Sequence, residues 1–283
     1  MSVLSGTVQD VEALFTDLDL NRGVFGELSK SECDRLRATL RSCLREYFKG
    51  IRGTASLYAR LAEKLLSGDT VVTFNYDVSL ENELARVQKF SVCGGYGFEA
   101  AWDERKSEVI ILKLHGSLNW IGSIFGGARG GSSGMFASAL GNRPFVDNTD
   151  SVLSGYPPEV LDNGFRGGGV LDASATLILP TYEKKFSIST SLGDEWVEFF
   201  ESIWSKATEC LQSTDCIVVI GYSMPEADRR ARDMLLVNAN KVADILLCCA
   251  SANMQLKEEF EKHGFSNVRG GGDFERFLRT PAA

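Results

Sequence analysis

From residue 194 onward, apolar stretches of helical and of strand length take turns along the chain. A helix-period stretch from about Asp194 to Gln212 carries Trp196, Phe199, Ile203, Trp204 and Leu211. After it come a strand-like run at 216–221, a helix from Pro225 to about Asn238, a strand at 243–250, a helix at 255–262, a short strand near Val268 and a last turn from Phe274 to Leu278. Strands regularly separated by helices read as a parallel sheet joined by right-handed crossovers. The expected fold class is α/β, with a doubly wound, Rossmann-like parallel sheet.

The part ahead of residue 194 fits that frame less simply. Three helical patterns come first. Thr7 to Leu20 places Val8, Val11, Leu14, Phe15 and Leu18 at helical spacing; Ser31 to Lys49 stripes Leu36, Leu40, Cys43, Leu44 and Phe48; Thr54 to Leu66 spaces Leu57, Leu61 and Leu65 by fours. An α/β sheet usually begins with a strand, so residues 7–66 are expected to form a separate helical segment. Strands then begin at Val71, at Val109, at Ser117 and at Ala175. The stretch between the last two is rich in glycine, with Gly126-Gly127-Ala128-Arg129-Gly130-Gly131-Ser132-Ser133-Gly134 and Gly167-Gly168-Gly169. Such composition is linker chemistry, and residues 122–174 are expected to be a flexible insertion. The sheet core is then 67–120 together with 175–283. The glycine run 126–134 follows no convincing strand and opens no helix, so it fails the context that a dinucleotide-binding loop requires.

Composition narrows the function classes. A net charge of −8 makes the molecule a poor match for polyanions, and the arginines at 35, 37, 41 and 45 are interleaved with Glu32, Asp34 and Glu46. Direct nucleic-acid binding is not expected. No apolar run approaches the ~20 residues that span a bilayer, and Met1 to Gly6 lack a basic region followed by an apolar core, so neither a membrane partner nor export is expected. The seven cysteines are odd in number and irregularly spaced, which suits a reducing cytoplasm. No C-x-x-C pair is present and His115 and His263 are the only histidines, so no metal is expected.

The chemistry concentrates at the ends of three apolar runs. Val71-Val72-Thr73-Phe74-Asn75-Tyr76-Asp77 turns polar at its end. Val109 to Leu114 runs into His115-Gly116-Ser117, and Cys216 to Ile220 runs into Gly221-Tyr222-Ser223. Open α/β sheets keep their ligands in the crevice at the carboxyl ends of their strands. An unperturbed imidazole titrates near neutral pH (~6.5), so His115 can act as a general base, the bland alternative being a histidine that closes a strand. Gly116 permits a close approach and Ser117 adds a hydroxyl. Asn75 and Asp77 can orient a hydroxyl or a water; the competing role is an Asx-turn capping a helix at Ser79, which suits Asp77 better than Asn75. Gly221-Tyr222-Ser223 before Pro225 reads as a helix start whose free N–H groups bind phosphate or ribose oxygens, or as a plain strand–helix turn. The charge run from Glu226 to Arg232 reads as a solvated helix face.

In order along the chain, Thr73-Phe74-Asn75-Tyr76-Asp77, Lys113-Leu114-His115-Gly116-Ser117-Leu118-Asn119-Trp120 and Gly221-Tyr222-Ser223-Met224-Pro225 resemble the hallmark blocks of the sirtuin superfamily. They are most similar to its bacterial, sirtuin-like defence NADase branch. Gly270-Gly271-Gly272-Asp273-Phe274 is similar to that family's loop near the adenine, and the resemblance covers about residues 8 to 278 as one domain, 1–283. It implies NAD as substrate, hydrolysis to nicotinamide and ADP-ribose, and a role in anti-phage defence. It implies His115 and Asn75 as catalytic residues, with Thr73, Asp77, Gly116, Ser117, Gly221, Tyr222, Ser223, Gly272 and Asp273 binding NAD. NAD or ADP-ribose are the implied ligands, and a second copy or a defence-system protein the implied partner.

Two departures go with the resemblance. The four-cysteine zinc module of the deacetylase branch is missing, so a zinc-free deacylase is an alternative that this departure disfavours. No counterpart of the family's opening strand and Gly-Ala-Gly-x-Ser loop precedes Thr7, so a shortened product or a lost phosphate loop is expected. The latter makes a non-catalytic NAD or ADP-ribose sensor, or an assembly subunit, the main alternative.

Overall fold

The structure, a computed structural model, describes residues 11–50, 55–98, 106–121, 145–146, 175–177, 194–225 and 228–279. It is a mixed α/β arrangement with short parallel sheets. Helices α1 (Val11–Asp19), α2 (Lys30–Gly50) and α3 (Ala55–Lys64) precede the first strand, as their apolar spacing predicts; residues 7–10 and 51–54 lie outside the described residues. A reciprocal pair starts α2: the Ser29 N–H donates to Glu32 Oε2 at 2.9 Å while the Glu32 N–H reaches Ser29 Oγ at 3.4 Å. The buried Arg37 guanidinium then fastens α2 to the end of α1, donating to Asp19 Oδ1 at 3.0 Å and to the Leu18 carbonyl at 2.7 Å.

Strand β1 (Thr70–Thr73) runs parallel to β2 (Ile110–Lys113), with Thr70 opposite Ile110 and Thr73 opposite Lys113. What delivers β1 to this place is the end of α3. The Lys89 ammonium caps its carboxyl end, donating to the carbonyls of Ala62, Glu63 and Leu65. The chain then turns at Gly68, whose φ of +94° suits glycine. Helix α4 (Ser79–Arg86) and a short α5 (Val92–Gly95) lie between the two strands in sequence. Strand β3 (Gly116–Ile121) is antiparallel to both β4 (Phe145–Val146) and β5 (Ala175–Leu177). The expected insertion 122–174 therefore contributes at least one strand pairing; the rest of it, and Pro180 after β5, lie outside the described residues.

After α6 (Asp194–Ser213), the strands β6 (Cys216–Ile220), β7 (Asp244–Cys248) and β8 (Val268–Gly270) form a parallel sheet in that order. Their crossovers are α7 (Arg229–Asp233), which continues as a π-turn over Met234–Asn238, and α8 (Asn253–Lys262). Helix α9 (Phe274–Arg279) follows. Right-handed crossovers of a sheet in this order share one face. On that face Ile217, Val219, Ile245, Leu247 and Val268 are buried, in one core with Leu235, Leu256 and Phe260. On the other face Cys216 and Val218 are exposed.

One expectation is met only in part and one needs correction. The parallel strands do not form one continuous ladder among the described residues: β1–β2 and β6–β7–β8 are separately hydrogen-bonded, and side chains rather than backbone join them into a shared core that includes Ile111, Leu112 and Trp204. The helix expected from Pro225 begins only at Arg229. Met224 just before the proline takes a left-handed backbone, φ +52°, and its side chain is buried.

Candidate functional site

Because β1 and β2 are parallel and in register, their carboxyl ends deliver Phe74–Asp77 and Leu114–Ser117 to one corner. Backbone bonds lock the two loops together: the Leu114 N–H donates to the Thr73 carbonyl at 3.0 Å and the Leu118 N–H to the Tyr76 carbonyl at 2.9 Å. Within the first loop, the Asn75 N–H folds back on Thr73 Oγ1 at 3.1 Å, and Asp77 Oδ1 accepts the Ser79 N–H at 3.0 Å at the start of α4. Thr73 and Asp77 thus shape the loop, and Asp77 makes the Asx-turn that leads into α4, with Val78 at the N-cap position. Asn75 is left exposed at the tip.

His115 sits in the turn between β2 and β3 and is buried. Gly116 after it has a φ of +86°, a left-handed turn that lets β3 depart at once. The imidazole packs against Phe74, ring centres 5.0 Å apart, and lies 6.4 Å from the Tyr76 ring. Tyr58 lies half-buried on α3; burial pushes its phenol above the ordinary tyrosine range, with the carboxylates of Asp77 and Glu81 adding to the shift, so the phenol stays protonated at neutral pH.

Beneath the corner lies a buried polar chain that residue spacing did not single out. Lys113, 1% exposed, donates to Glu81 Oε1 at 2.7 Å, to the Tyr76 carbonyl at 3.3 Å and to the Asp77 carbonyl. Ser117 Oγ donates to Asn119 Oδ1 at 2.6 Å, and Asn119 Nδ2 donates to the Tyr96 hydroxyl at 3.0 Å. That hydroxyl points on to Glu81 Oε1 at 3.4 Å. Burial first, and then Glu81, hold the Tyr96 phenol well above its ordinary value, which keeps the proton this chain needs. The signal available in sequence was a lysine two residues before the histidine on a strand, hence on the same face.

The second cluster lies at the carboxyl edge of β6–β8. Gly221 turns at φ +65°. Tyr222 lies against Phe74, centroids 4.8 Å apart and 28° between planes, so Phe74 joins the two clusters; Trp204 approaches the same ring at 6.3 Å. The Tyr222 hydroxyl donates to Asp228 Oδ2 at 3.3 Å, and burial followed by that carboxylate raises its phenol strongly. Ser223 is exposed. The expected helix start is not here: Glu226 and Ala227 lie outside the described residues, and helical N–H groups begin at Arg229.

Gly272, at φ +88°, accepts the Ala250 N–H at 3.2 Å, and Asp273 Oδ1 accepts the Arg276 N–H at 2.8 Å to cap α9. Asn253 ties these loops, accepting the Cys249 N–H and donating to the Gly272 carbonyl, each at 2.7 Å. Cys248 and Cys249 carry free thiols. Burial pushes the Cys248 thiol up to about 11 and raises that of Cys249, so both are poor nucleophiles at neutral pH.

The structure therefore brings Thr73, Asn75, Asp77, His115, Gly116 and Ser117 together and connects Tyr222 to them through Phe74. Gly221, Ser223, Gly272 and Asp273 line the neighbouring edge. Among the described residues there is no group of three or more His, Cys, Asp or Glu side chains that could hold a metal ion, and no helix long and apolar enough to cross a membrane. No family model matches the chain, and no curated protein sequence matches it.

Proposed function

We propose that the protein is a sirtuin-like NAD-binding domain that hydrolyses NAD to nicotinamide and ADP-ribose. The observation that carries this reading is the parallel register of β1 and β2, which sets Asn75 and His115 at one corner. In the reaction, the bond between nicotinamide and ribose breaks through an oxocarbenium-like state and nicotinamide leaves with the bonding electrons. A water oxygen then bonds to the ribose carbon, and His115 accepts the proton that the water or a ribose hydroxyl gives up. Asn75 holds the ribose or the water. The stacked rings of Phe74 and Tyr222 link the two clusters, and Gly221, Ser223, Gly272 and Asp273 hold the adenosine side.

On this reading the two parallel sheets are the halves of a Rossmann-like doubly wound core. The protein acts in the cytoplasm in anti-phage defence, assembled with further copies or with a defence partner. The test is NAD hydrolysis by the purified protein against His115→Ala. Equal rates of nicotinamide release from the two proteins would rule the mechanism out.

One observation favours a second reading. Among the described residues, the loop after Gly221 offers no helical N–H groups before Arg229, which weakens the expected phosphate site and suits a domain that binds NAD or ADP-ribose without turnover. Calorimetry with both ligands separates the two: binding with no nicotinamide release selects the sensor. A zinc-free deacylase would instead reveal itself by turning over an acyl-lysine peptide with NAD.

A further inference from the structure

A buried ion pair is a weak source of stability, because removing both charges from water costs about as much as their attraction returns. Lys113 and Glu81 are 1% and 2% exposed and 2.7 Å apart, in a core where a Met–Leu pair would pack without that cost. What an apolar pair would not supply is donors. The Lys113 ammonium places its three N–H groups on three acceptors from two segments: the carbonyls of Tyr76 and Asp77 in the loop, and Glu81 in the first turn of α4. Glu81 receives the Tyr96 hydroxyl as well, at the end of the chain from Ser117 through Asn119. The two loops of the catalytic corner therefore meet on one carboxylate, one from each side.

We infer that Lys113, seated on Glu81, is a positioning residue: it holds the Tyr76 and Asp77 carbonyls and so sets Asn75 against His115. This rests on the proposed NAD hydrolase reading for its kinetic consequence, but not for its structural one. Lys113 touches no reacting atom. Its loss lets the Asn75–Asp77 backbone drift, and misplacement of about 1 Å in a catalytic constellation costs about 10²-fold in rate. The effect falls on kcat more than on KM, because the interaction lost is one made with the transition state.

The experiment compares Glu81→Gln, Lys113→Met and the double variant, with NAD as the substrate. Thermal stability, kcat, KM and amide hydrogen exchange over residues 74–79 and at Leu118 are measured on each. The double variant removes both charges, so its Tm returns most of the way to wild type. Its kcat stays down about 10²-fold with KM within about threefold, and exchange over 74–79 is faster. Recovery of kcat together with Tm would make the pair merely structural and overturn the inference.

If the double variant does not fold, Glu81→Gln decides: it keeps the Lys113 bonds to both carbonyls, so a kcat within about threefold of wild type supports the inference, and a loss near 10²-fold overturns it. If the wild-type protein does not hydrolyse NAD, the functional reading fails on its own. Exchange over 74–79 then decides the strut, acceleration in the Lys113 variants supporting it and unchanged protection overturning it.

Discussion

The corner where β1 and β2 end and the edge where β6, β7 and β8 end both gather loops from parallel strands, but the loops are held by different means. At the corner, two backbone bonds between the loops are backed by a side-chain network out of contact with water: Lys113, Glu81, Tyr96, Asn119 and Ser117 are all buried. At the edge the turns are made by backbone, through Gly221 and Gly272 at positive φ, with Asn253 bridging two loops and Ser223 open to solvent. A buried, fully satisfied polar network permits little rearrangement, because any shift leaves a donor or a charge without a partner. Turns of glycine can follow the shape of a ligand. The corner is therefore the part suited to chemistry and the edge the part suited to holding an extended molecule.

Substitutions sharpen the contrast in proportion to what they remove. Lys113→Met leaves Glu81 as an uncompensated buried charge and should cost about 3–5 kcal/mol in chemical denaturation; a loss under 1 kcal/mol would mean that the corner is not braced as described. Asn253→Ala removes one acceptor and one donor at the edge and should cost about 2 kcal/mol, with faster exchange confined to residues 248–253 and 270–274. Spread of that effect to the Leu118 amide would erase the distinction between the two regions. Phe74→Leu keeps apolar volume but loses the contacts with Tyr222 and His115, for about 1 kcal/mol. It should loosen the link between the regions while leaving the Lys113 bonds intact, which exchange at Leu118 reports.

The smallest effect is at alkaline pH. Tyr58, Tyr96 and Tyr222 all have raised phenol pKa values from burial. A folded pKa above the unfolded one means the native state holds its proton longer. The stabilisation is complete below about pH 10 and is lost as pH rises through the folded values. Tm should stay level to about pH 9 and fall above about pH 10, with part of the phenolate absorbance appearing only as the protein unfolds. Titration of every tyrosine near its ordinary pKa without loss of Tm would contradict this.

Much of this architecture was legible in apolar spacing. The helix expected from Ser31 to Lys49 is α2, although Leu36 and Cys43 of its expected stripe are exposed, and the alternation after Asp194 is the parallel β6–β7–β8 unit. The corner was legible in outline: Asn75, Asp77 and His115 follow apolar runs, and a parallel register brings such ends together. What spacing did not reveal was the support beneath them. Lys113 and Glu81 are residue types that usually meet water, and only the packing of α4 and Tyr96 around them encloses the pair. The pairing of Phe145–Val146 with β3 was hidden because two residues within a glycine-rich stretch carry no period. The left-handed backbone of Met224 ahead of α7 is likewise something no propensity of methionine predicts.

The claim that stands or falls first is that the β1–β2 corner is where the chemistry occurs. Nicotinamide release from NAD should be measured on the wild-type protein and on His115→Ala at matched stability. A drop of about 10²–10⁴-fold, the range for loss of a general base, with ADP-ribose binding retained, is the result expected. Equal turnover by the two proteins would contradict it.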